Sequence, residues 1–126
     1  LDGAGSPALL NAIQPQVIIV NNGPKKGLGQ TDKRIQPIVN MVKPATYEKN
    51  SYLRMAAIPG IEGIWQGHLA LLDKDPAHNT AEDMIANFEE TTDCKGNTIK
   101  ASVARDGRFT VTNNRNGFSK TYAARK

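Results

Sequence analysis

The sequence has few of the residues on which covalent and metal chemistry usually depend. It contains one cysteine, Cys94, and two histidines in 126 residues, which excludes an internal disulfide and a cysteine-rich metal site. No motif places a base beside Cys94, so we interpret it as a structural thiol rather than a nucleophile. No apolar run approaches the roughly 18 residues that a membrane-spanning helix needs, and we therefore expect no membrane span.

Length and apolar content are, by contrast, sufficient for one hydrophobic core. Hydrophobic residues make up 39% of the chain and charged residues 22%, as in ordinary globular proteins. We expect residues 1–126 to form a single domain or part of one, with residues 1–94 as an α/β part and residues 95–126 as a basic β-hairpin tail. Since the chain begins at Leu1 rather than Met, we also expect that a leader or a larger segment has been removed upstream.

The net charge of +4 conceals a strong segregation of charge along the chain. Residues 61–94 contain one base and eight acids, whereas residues 95–126 contain eight bases and one acid. Two interpretations stay open. The basic tail can lie on the acidic middle of its own chain, which is the more economical arrangement. Alternatively, it can bind an external polyanion such as single-stranded nucleic acid, using the interleaved aromatics Phe109, Phe118 and Tyr122.

The first 20 residues predict a short helix followed by a buried strand. Ser6 can cap a helix whose first position is Pro7, and Pro15 disfavours helical geometry at the residue before it, so the helix should end near Ile13. The run Val17–Val20 consists of four β-branched residues without alternation. It therefore predicts a strand that is buried on both faces.

Apolar spacing predicts further elements in the middle of the chain. One helix is expected in residues 35–42 and another over Thr46–Ile58, which Pro59-Gly60 ends. Ile64–Leu71 is expected to form a strand. Asn79 or Thr80 could cap a third helix that runs through residue 90.

The tail predicts antiparallel strands. Apolar and polar residues alternate over Ile99–Val103 and again over 109–112, and the Asp106-Gly107 pair between them is a strong hairpin-turn signal. Asn116-Gly117 indicates another turn. Phe118–Tyr122 can then return as a third strand.

The glycine-rich loop after Val17–Val20 does not fit a nucleotide-binding motif. It reads GPKKGLGQ from Gly23, so the Lys-Ser/Thr pair of a phosphate-binding loop is missing, and Pro24 lacks an N–H that such a loop would use. Ligands in open α/β folds nevertheless gather at the carboxyl ends of strands. Lys25 and Lys26 could contact an anion there, or the segment could be a solvated turn.

The two histidines give a weak metal signal. His68 and His78 together with Asp73 and Asp75 could supply ligands for one ion, but no regular helix or strand spacing joins them. His68 is more typical of a half-buried strand residue, and His78 of a loop or cap residue.

Four stretches of the sequence carry a likeness to a known family. They are Ser6–Leu10 (SPALL), Val17–Gly27 (VIIVNNGPKKG), Pro59–His68 (PGIEGIWQGH) and Phe109–Tyr122 (FTVTNNRNGFSKTY). In this order they resemble the C-terminal part of bacterial metallo-β-lactamase-fold hydrolases, in the branch related to the soluble domain of the competence DNA-uptake channel protein. Residues 28–58 are longer than expected between the second and third stretches, which indicates an insertion.

The resemblance implies an α+β fold, the C-terminal half of a four-layer αββα sandwich that ends in an antiparallel β-hairpin. Family members bind one or two metal ions, usually zinc, through an H-x-H-x-D-H motif and later His and Asp ligands, and a metal-bound hydroxide would attack a phosphodiester or similar ester. None of these motifs occurs in this chain. The resemblance therefore implies zinc for the full-length family, but no cofactor, catalytic residue or metal ligand in this chain alone.

By the same resemblance, the loop after Val17–Val20 is the rim of a metallohydrolase cleft. Its candidate residues are Asn21, Asn22, Lys25, Lys26 and His68. The expected partner is the upstream half of the same fold or another copy of this chain, because half a sandwich leaves apolar sheet surface exposed. A second hypothesis makes the chain a non-catalytic structural, self-assembling or polyanion-binding module. A secreted or periplasmic bacterial location fits the family, although composition leaves the compartment open.

Overall fold

The computed structural model describes residues 6–25, 50–73, 75–93 and 95–125. The elements in these ranges are helices α1 (Pro7–Ile13) and α2 (Ser51–Ala56), strands β1 (Val17–Val20), β2 (Gly63–Gln66), β3 (Ile99–Val103), β4 (Phe109–Asn113) and β5 (Ser119–Tyr122), and 3-10 turns at Pro76–His78 and Glu82–Met84. The helix expected in residues 35–42 lies outside the described residues.

Local signals account for both ends of α1, and the predicted helix is confirmed. The Ser6 hydroxyl accepts a hydrogen bond from the Leu9 N–H at 3.3 Å, and Pro7 occupies the first turn. At the other end, Gln14 adopts a left-handed conformation, with φ of 44°, and its N–H donates to the Leu10 carbonyl. Such a residue closes the last turn of a helix, and the following Pro15 cannot continue it.

Strands β1 and β2 pair in parallel, with Val17 opposite Gly63 and Val20 opposite Gln66. The predicted strand Val17–Val20 is therefore confirmed, but its expected burial on both faces is wrong for Ile19, which is 44% exposed. Ile19 lies at the open cleft described below, beyond the area that the second sheet covers. The second predicted strand, Ile64–Leu71, ends early at Gln66 because the Leu69 N–H turns away to bond the Asn87 carbonyl.

The core has two parts, one on each face of the parallel pair. On one face, α1 and α2 contribute Leu10 and Met55, which cluster with Val20 and Ile64. On the other face, Trp65 of β2 packs against β4 and β5 through the side chains Val111 and Tyr122. Neighbouring residues of a strand point to opposite faces, which is why Ile64 and Trp65 serve different clusters. The result is a mixed α+β arrangement of helices, parallel strands and an antiparallel sheet.

The tail forms a three-stranded antiparallel sheet in the order β3-β4-β5. The predicted hairpin turn at Asp106-Gly107 and the turn at Asn116-Gly117 are both confirmed, and their glycines have φ of 84° and 74°. Glycine adopts these left-handed values without a steric penalty. The predicted third strand is also confirmed, as β5, so the tail has one strand more than a simple hairpin.

The helix predicted from residue 79 or 80 to residue 90 is wrong. Two short 3-10 turns and extended chain replace it, and Ile85 forms a parallel bridge with Gln66. The reason lies in hydrogen bonds from the tail: Asn113 donates to the carbonyls of Asp83 and Ile85, both at 2.8 Å, and Arg115 donates to the carbonyls of Glu82 and Ile85. Carbonyls engaged in this way are not available to an α-helix.

The helix predicted over Thr46–Ile58 is confirmed in part. Helix α2 begins after Asn50, whose side chain accepts from the N–H groups of Tyr52 and Leu53, and it ends at Ala56. Residues 46–49 lie outside the described part of the chain. Among the described residues, no helix combines the length and apolar character needed to cross a membrane.

Candidate functional cleft

The loops that follow β1 and β2 are joined by one buried asparagine. The Asn22 side chain, only 6% exposed, donates from Nδ2 to the His68 carbonyl at 2.6 Å. Its Oδ1 accepts from the His68 N–H at 3.4 Å. An amide that offers a donor and an acceptor to the backbone N–H and C=O of one residue imitates a strand partner. Asn22 therefore continues the β1–β2 pairing beyond the last residues of the strands, and it fixes the edge where the predicted rim lies.

Gly67 lets the two loops approach this closely. A Cβ at this position would lie 3.3 Å from the Asn22 carbonyl oxygen and 3.4 Å from that of Val20. The Gly67 N–H also donates to the Val20 carbonyl at 2.9 Å. A side chain here would press the loops apart by a few tenths of an ångström, so the close contact favours glycine at position 67.

We call the two hydrogen bonds between Asn22 and His68 the bracket. A cleft of about 370 Å³ opens beside it. Its walls combine uncharged polar and apolar side chains, and among the described residues no Lys, Arg, Asp or Glu lines it. The Asn21 side chain is exposed and makes no hydrogen bond within the described residues, so its amide is available to a ligand. The lining residues are Ile19, Val20, Asn21, Asn22, Gly67, His68, Asn87, Asn97, Thr98 and Ile99.

The far wall is held by an asparagine pair that sequence reasoning missed. Asn87 donates from Nδ2 to the Gly67 carbonyl at 2.7 Å and to the Asn97 carbonyl at 2.9 Å. Its Oδ1 accepts from the Asn97 N–H at 2.9 Å. Asn87 thus ties the acidic middle of the chain to the strand that begins at Ile99. No spacing signal in the sequence connects residues 87 and 97, and the mistaken helix prediction assigned Asn87 to a helix.

His68 lies where the rim prediction placed it, but its ring nitrogens face backbone oxygens. The residue is buried, with Nδ1 at 2.7 Å from the Leu69 carbonyl oxygen and Nε2 at 3.4 Å from that of Glu89. A neutral imidazole carries one N–H and can donate to only one of these carbonyls, but both nitrogens point at backbone oxygens, which gives the ring a structural role. The structure therefore assigns His68 to holding the rim.

The two predicted lysines differ in what the structure describes. Lys25 forms an ion pair with Glu90, Nζ to Oε2 at 3.1 Å, and both side chains are well exposed. An exposed pair of this kind is weak and exchangeable, so Lys25 can still turn to an anionic ligand. Lys26 lies outside the described residues.

Behind the rim, a buried glutamine supports the loop that leads away from β2. Gln66 is fully buried; its Nε2 donates to the Asn79 Oδ1 at 3.1 Å and its Oε1 accepts from the Thr80 N–H. Asn79 in turn donates to the carbonyls of Asp73 and Asp75. This network explains why Asn79 and Thr80, predicted as helix caps, act instead as a tertiary anchor.

The described residues do not fit a zinc site. His78 bonds Asp73 at 2.8 Å, while His68 is engaged by backbone oxygens as described above. A catalytic zinc ion needs about three protein ligands around an open position. No group of three His, Cys, Asp or Glu side chains comes together within the part of the chain that the structure describes, so we derive no step through a metal for these residues.

The aromatics of the basic tail serve the core. Phe109 and Tyr122 stack with ring centroids 5.1 Å apart, and Phe118 packs against Trp65 at 5.8 Å. Base stacking, on which single-strand binding relies, would need these rings on the open face. Phe109 and Tyr122 belong to the core, which favours the interpretation of an amphipathic sheet over that of a nucleic-acid platform, whereas Phe118 is 37% exposed.

The tail meets the acidic middle through backbone oxygens. Arg115 lies over the Phe88 ring, with its guanidinium carbon 4.5 Å from the centroid, and donates to the carbonyls of Ile85 and Glu82 at 3.0 and 2.8 Å. Lys120 donates to the Glu62 carbonyl at 2.7 Å. Arg115 and Lys120 thus donate to backbone carbonyl oxygens, and the acidic side chains of the two glutamates are exposed.

Comparison with known proteins adds no assignment, since neither a family model, nor a curated protein, nor a solved structure matches this chain.

Proposed function

We propose that this chain is the C-terminal part of a metal-dependent hydrolase of the metallo-β-lactamase fold, and that its β1 and β2 loops form one rim of the substrate cleft. The substrate class is a phosphodiester or similar ester. The upstream half of the fold would supply the metal ligands and would be the partner of this chain. On its own, the chain is expected to be inactive.

The observation that carries the proposal is the bracket between Asn22 and His68. It lies at the carboxyl ends of two parallel strands, which is where open α/β folds bind their ligands. The order of layers also supports the proposal, because helices, parallel strands and an antiparallel sheet would make up half of an αββα sandwich. The four stretches of the resemblance fall on α1, on β1 with its loop, on β2 and on the β4–β5 hairpin.

In this proposal the chain's own residues bind and position. Asn22 and Gly67 hold the two loops together, Asn21 offers its amide to the substrate, and Lys25 exchanges Glu90 for substrate charge. No residue of the described chain is assigned a proton-transfer or nucleophilic role.

The test compares the 126-residue chain with the full product of its reading frame. We expect an upstream H-x-H-x-D-H motif, stoichiometric zinc in the full product by elemental analysis, and chelator-sensitive hydrolysis of bis(p-nitrophenyl) phosphate that the 126-residue chain lacks. A reading frame without upstream ligands would overturn the proposal. So would zinc-dependent turnover by a homogeneous sample of the short chain.

Within the full product, Asn21→Ala should lower kcat/KM without changing zinc content. Asn11→Ala is the matched control, since Asn11 is exposed on α1 and is not among the residues that line the cleft. Equal activity of both variants would remove Asn21 from the substrate site.

A further inference from the structure

The free edge of β3 carries an inference that does not depend on the proposed function. Among the strands that the structure describes, β3 pairs with β4 and with no other. All of its residues except Ile99 are exposed, and Val103 is 76% exposed. The strand contains no proline and one charged residue, Lys100. Natural sheets usually protect such an edge with proline, bulges or several charges, and β3 has little of this protection.

The pairing register shows which backbone groups point outward. Thr98 accepts from the Asn114 N–H at 3.0 Å, and Ala104 donates to the Arg108 carbonyl at 2.8 Å. Hydrogen-bonded pairs alternate along antiparallel strands, so the even-numbered residues of β3 bond to β4. The N–H and C=O groups of Ile99, Ala101 and Val103 therefore face away from the sheet, and within the described residues they have no partner.

We propose that β3 pairs with β3 of a second copy of this chain, antiparallel and centred on Ala101. In this register Ile99 faces Val103 of the second copy, Lys100 faces Ser102, and Ala101 faces Ala101. All three outward-pointing residues of each strand then exchange hydrogen bonds. The two sheets become one continuous sheet across a two-fold axis, and Val103 of each copy covers Ile99 of the other at the floor of the cleft.

Two neighbouring registers are less favourable. Centring on residue 100 places Lys100 directly against Lys100, and like charges opposite each other destabilise a sheet. Centring on residue 102 leaves Ile99 without a partner in the other strand. The Ala101 register avoids both, which is why the second copy is the occupant that the strand's own sequence fits.

The other sheet edge is a poorer partner for β3. Only Ser119 and Thr121 of β5 point their backbone groups outward, because the Phe118 carbonyl accepts from the Asn113 N–H on the inner side. A pairing of β3 with β5 would also join unlike surfaces and leave an edge free in each copy, which builds open filaments rather than a closed dimer.

Disulfide trapping tests the register. In a Cys94→Ser background, Ala101→Cys would place the two thiols on a hydrogen-bonded pair with Cα atoms about 5.5 Å apart, within disulfide range. Ser102→Cys is the matched control, since its Cα atoms would be separated diagonally by about 7–8 Å, beyond that range. We expect covalent dimer from A101C and little from S102C under mild oxidation. Equal yields, or a higher yield from S102C, would overturn the register.

Sedimentation velocity tests whether two copies associate at all. Protein concentrations up to about 1 mM are needed, because a small interface binds weakly. Ala101→Pro removes an outward N–H without breaking a bond to β4, so the variant should keep its fold by circular dichroism and stay monomeric. Association of the unmodified chain should increase with salt, which screens the two Lys100 side chains. A monomer at every concentration, or association that A101P leaves unchanged, would refute the proposal.

Discussion

The indole N–H of Trp65 donates to the hydroxyl oxygen of Tyr122 at 3.0 Å, at the centre of the interface between the two sheets. Both residues are fully or almost fully buried. They lie 57 positions apart in the chain, one on β2 and one on β5. This bond joins the α/β part of the chain to its basic tail, so the two parts predicted from the sequence share one core.

Replacing Tyr122 with phenylalanine should destabilise the protein. The change removes the acceptor of a buried indole N–H, and an unsatisfied buried donor costs roughly 1–3 kcal/mol. Urea unfolding of Tyr122→Phe measures the loss. Thr121→Val is the control, because Thr121 is exposed and its hydroxyl bonds only Thr110 across the outer face. If both variants unfold at the same urea concentration, the Trp65–Tyr122 bond does not contribute as described.

Stability should fall in alkaline solution. Burial raises the pKa of the Tyr122 hydroxyl above its ordinary value of 10.0, the nearby Glu62 carboxylate raises it further, and the bond from Trp65 partly opposes these effects. A group with a raised pKa in the folded state binds its proton there more tightly than in the unfolded chain. The stability it contributes is thus complete below pH 10.0 and decreases as the pH rises above that value.

Urea midpoints measured between about pH 8 and pH 11 check this pH dependence. Lys120 lies beside the same ring, with its Nζ 5.0 Å from the centre of the Tyr122 ring, so Lys120→Met serves as a control for local charge. We expect Tyr122→Phe to reduce the alkaline decrease and Lys120→Met to retain most of it. The reverse order would show that Tyr122 is not responsible for the decrease.

Gly63→Ala should also disturb the inter-sheet core. A Cβ on Gly63 would collide with the Tyr122 hydroxyl and lie 3.2 Å from the ring carbon that carries it. Overpacking of this kind costs roughly 1–3 kcal/mol. Gly23→Ala is the control, since no atom of the described residues lies within 4 Å of its added Cβ. The double variant Gly63→Ala/Tyr122→Phe should lose less than the sum of the single variants, and strict additivity in urea unfolding would contradict the collision.

The bracket at the cleft can be tested by a pair of adjacent asparagines. Asn22→Ala removes two hydrogen bonds to the His68 peptide groups and should cost roughly 1–3 kcal/mol. Asn21→Ala should change stability by less than about 0.5 kcal/mol, because Asn21 is exposed and makes no hydrogen bond within the described residues. Hydrogen exchange of the His68 amide gives a local readout. Unchanged protection of this amide in Asn22→Ala would show that the bracket does not hold the loop.

The candidate cleft was only partly accessible from the sequence. Asn21, Asn22 and His68 were predicted from the family resemblance, and for the two asparagines the end of the strand Val17–Val20 also indicates a ligand site. All three line the cleft. Asn87 and Asn97 were missed, because their contact depends on residues 82–90 leaving the helical conformation that their own spacing favours.

The sequence by itself determined α1, β1 and the turns of the tail. Ser6, Pro7 and Pro15, the run Val17–Val20 and the pairs Asp106-Gly107 and Asn116-Gly117 act on the backbone within a few residues, so their effect can be seen in a short window. Only the tertiary structure decided the extended path of residues 79–90. The backbone groups of this segment form hydrogen bonds with side chains that are far away in the sequence, those of Gln66, Asn113 and Arg115. Hydrogen bonds between distant segments follow no local spacing. The walls of the cleft depend on these distant bonds.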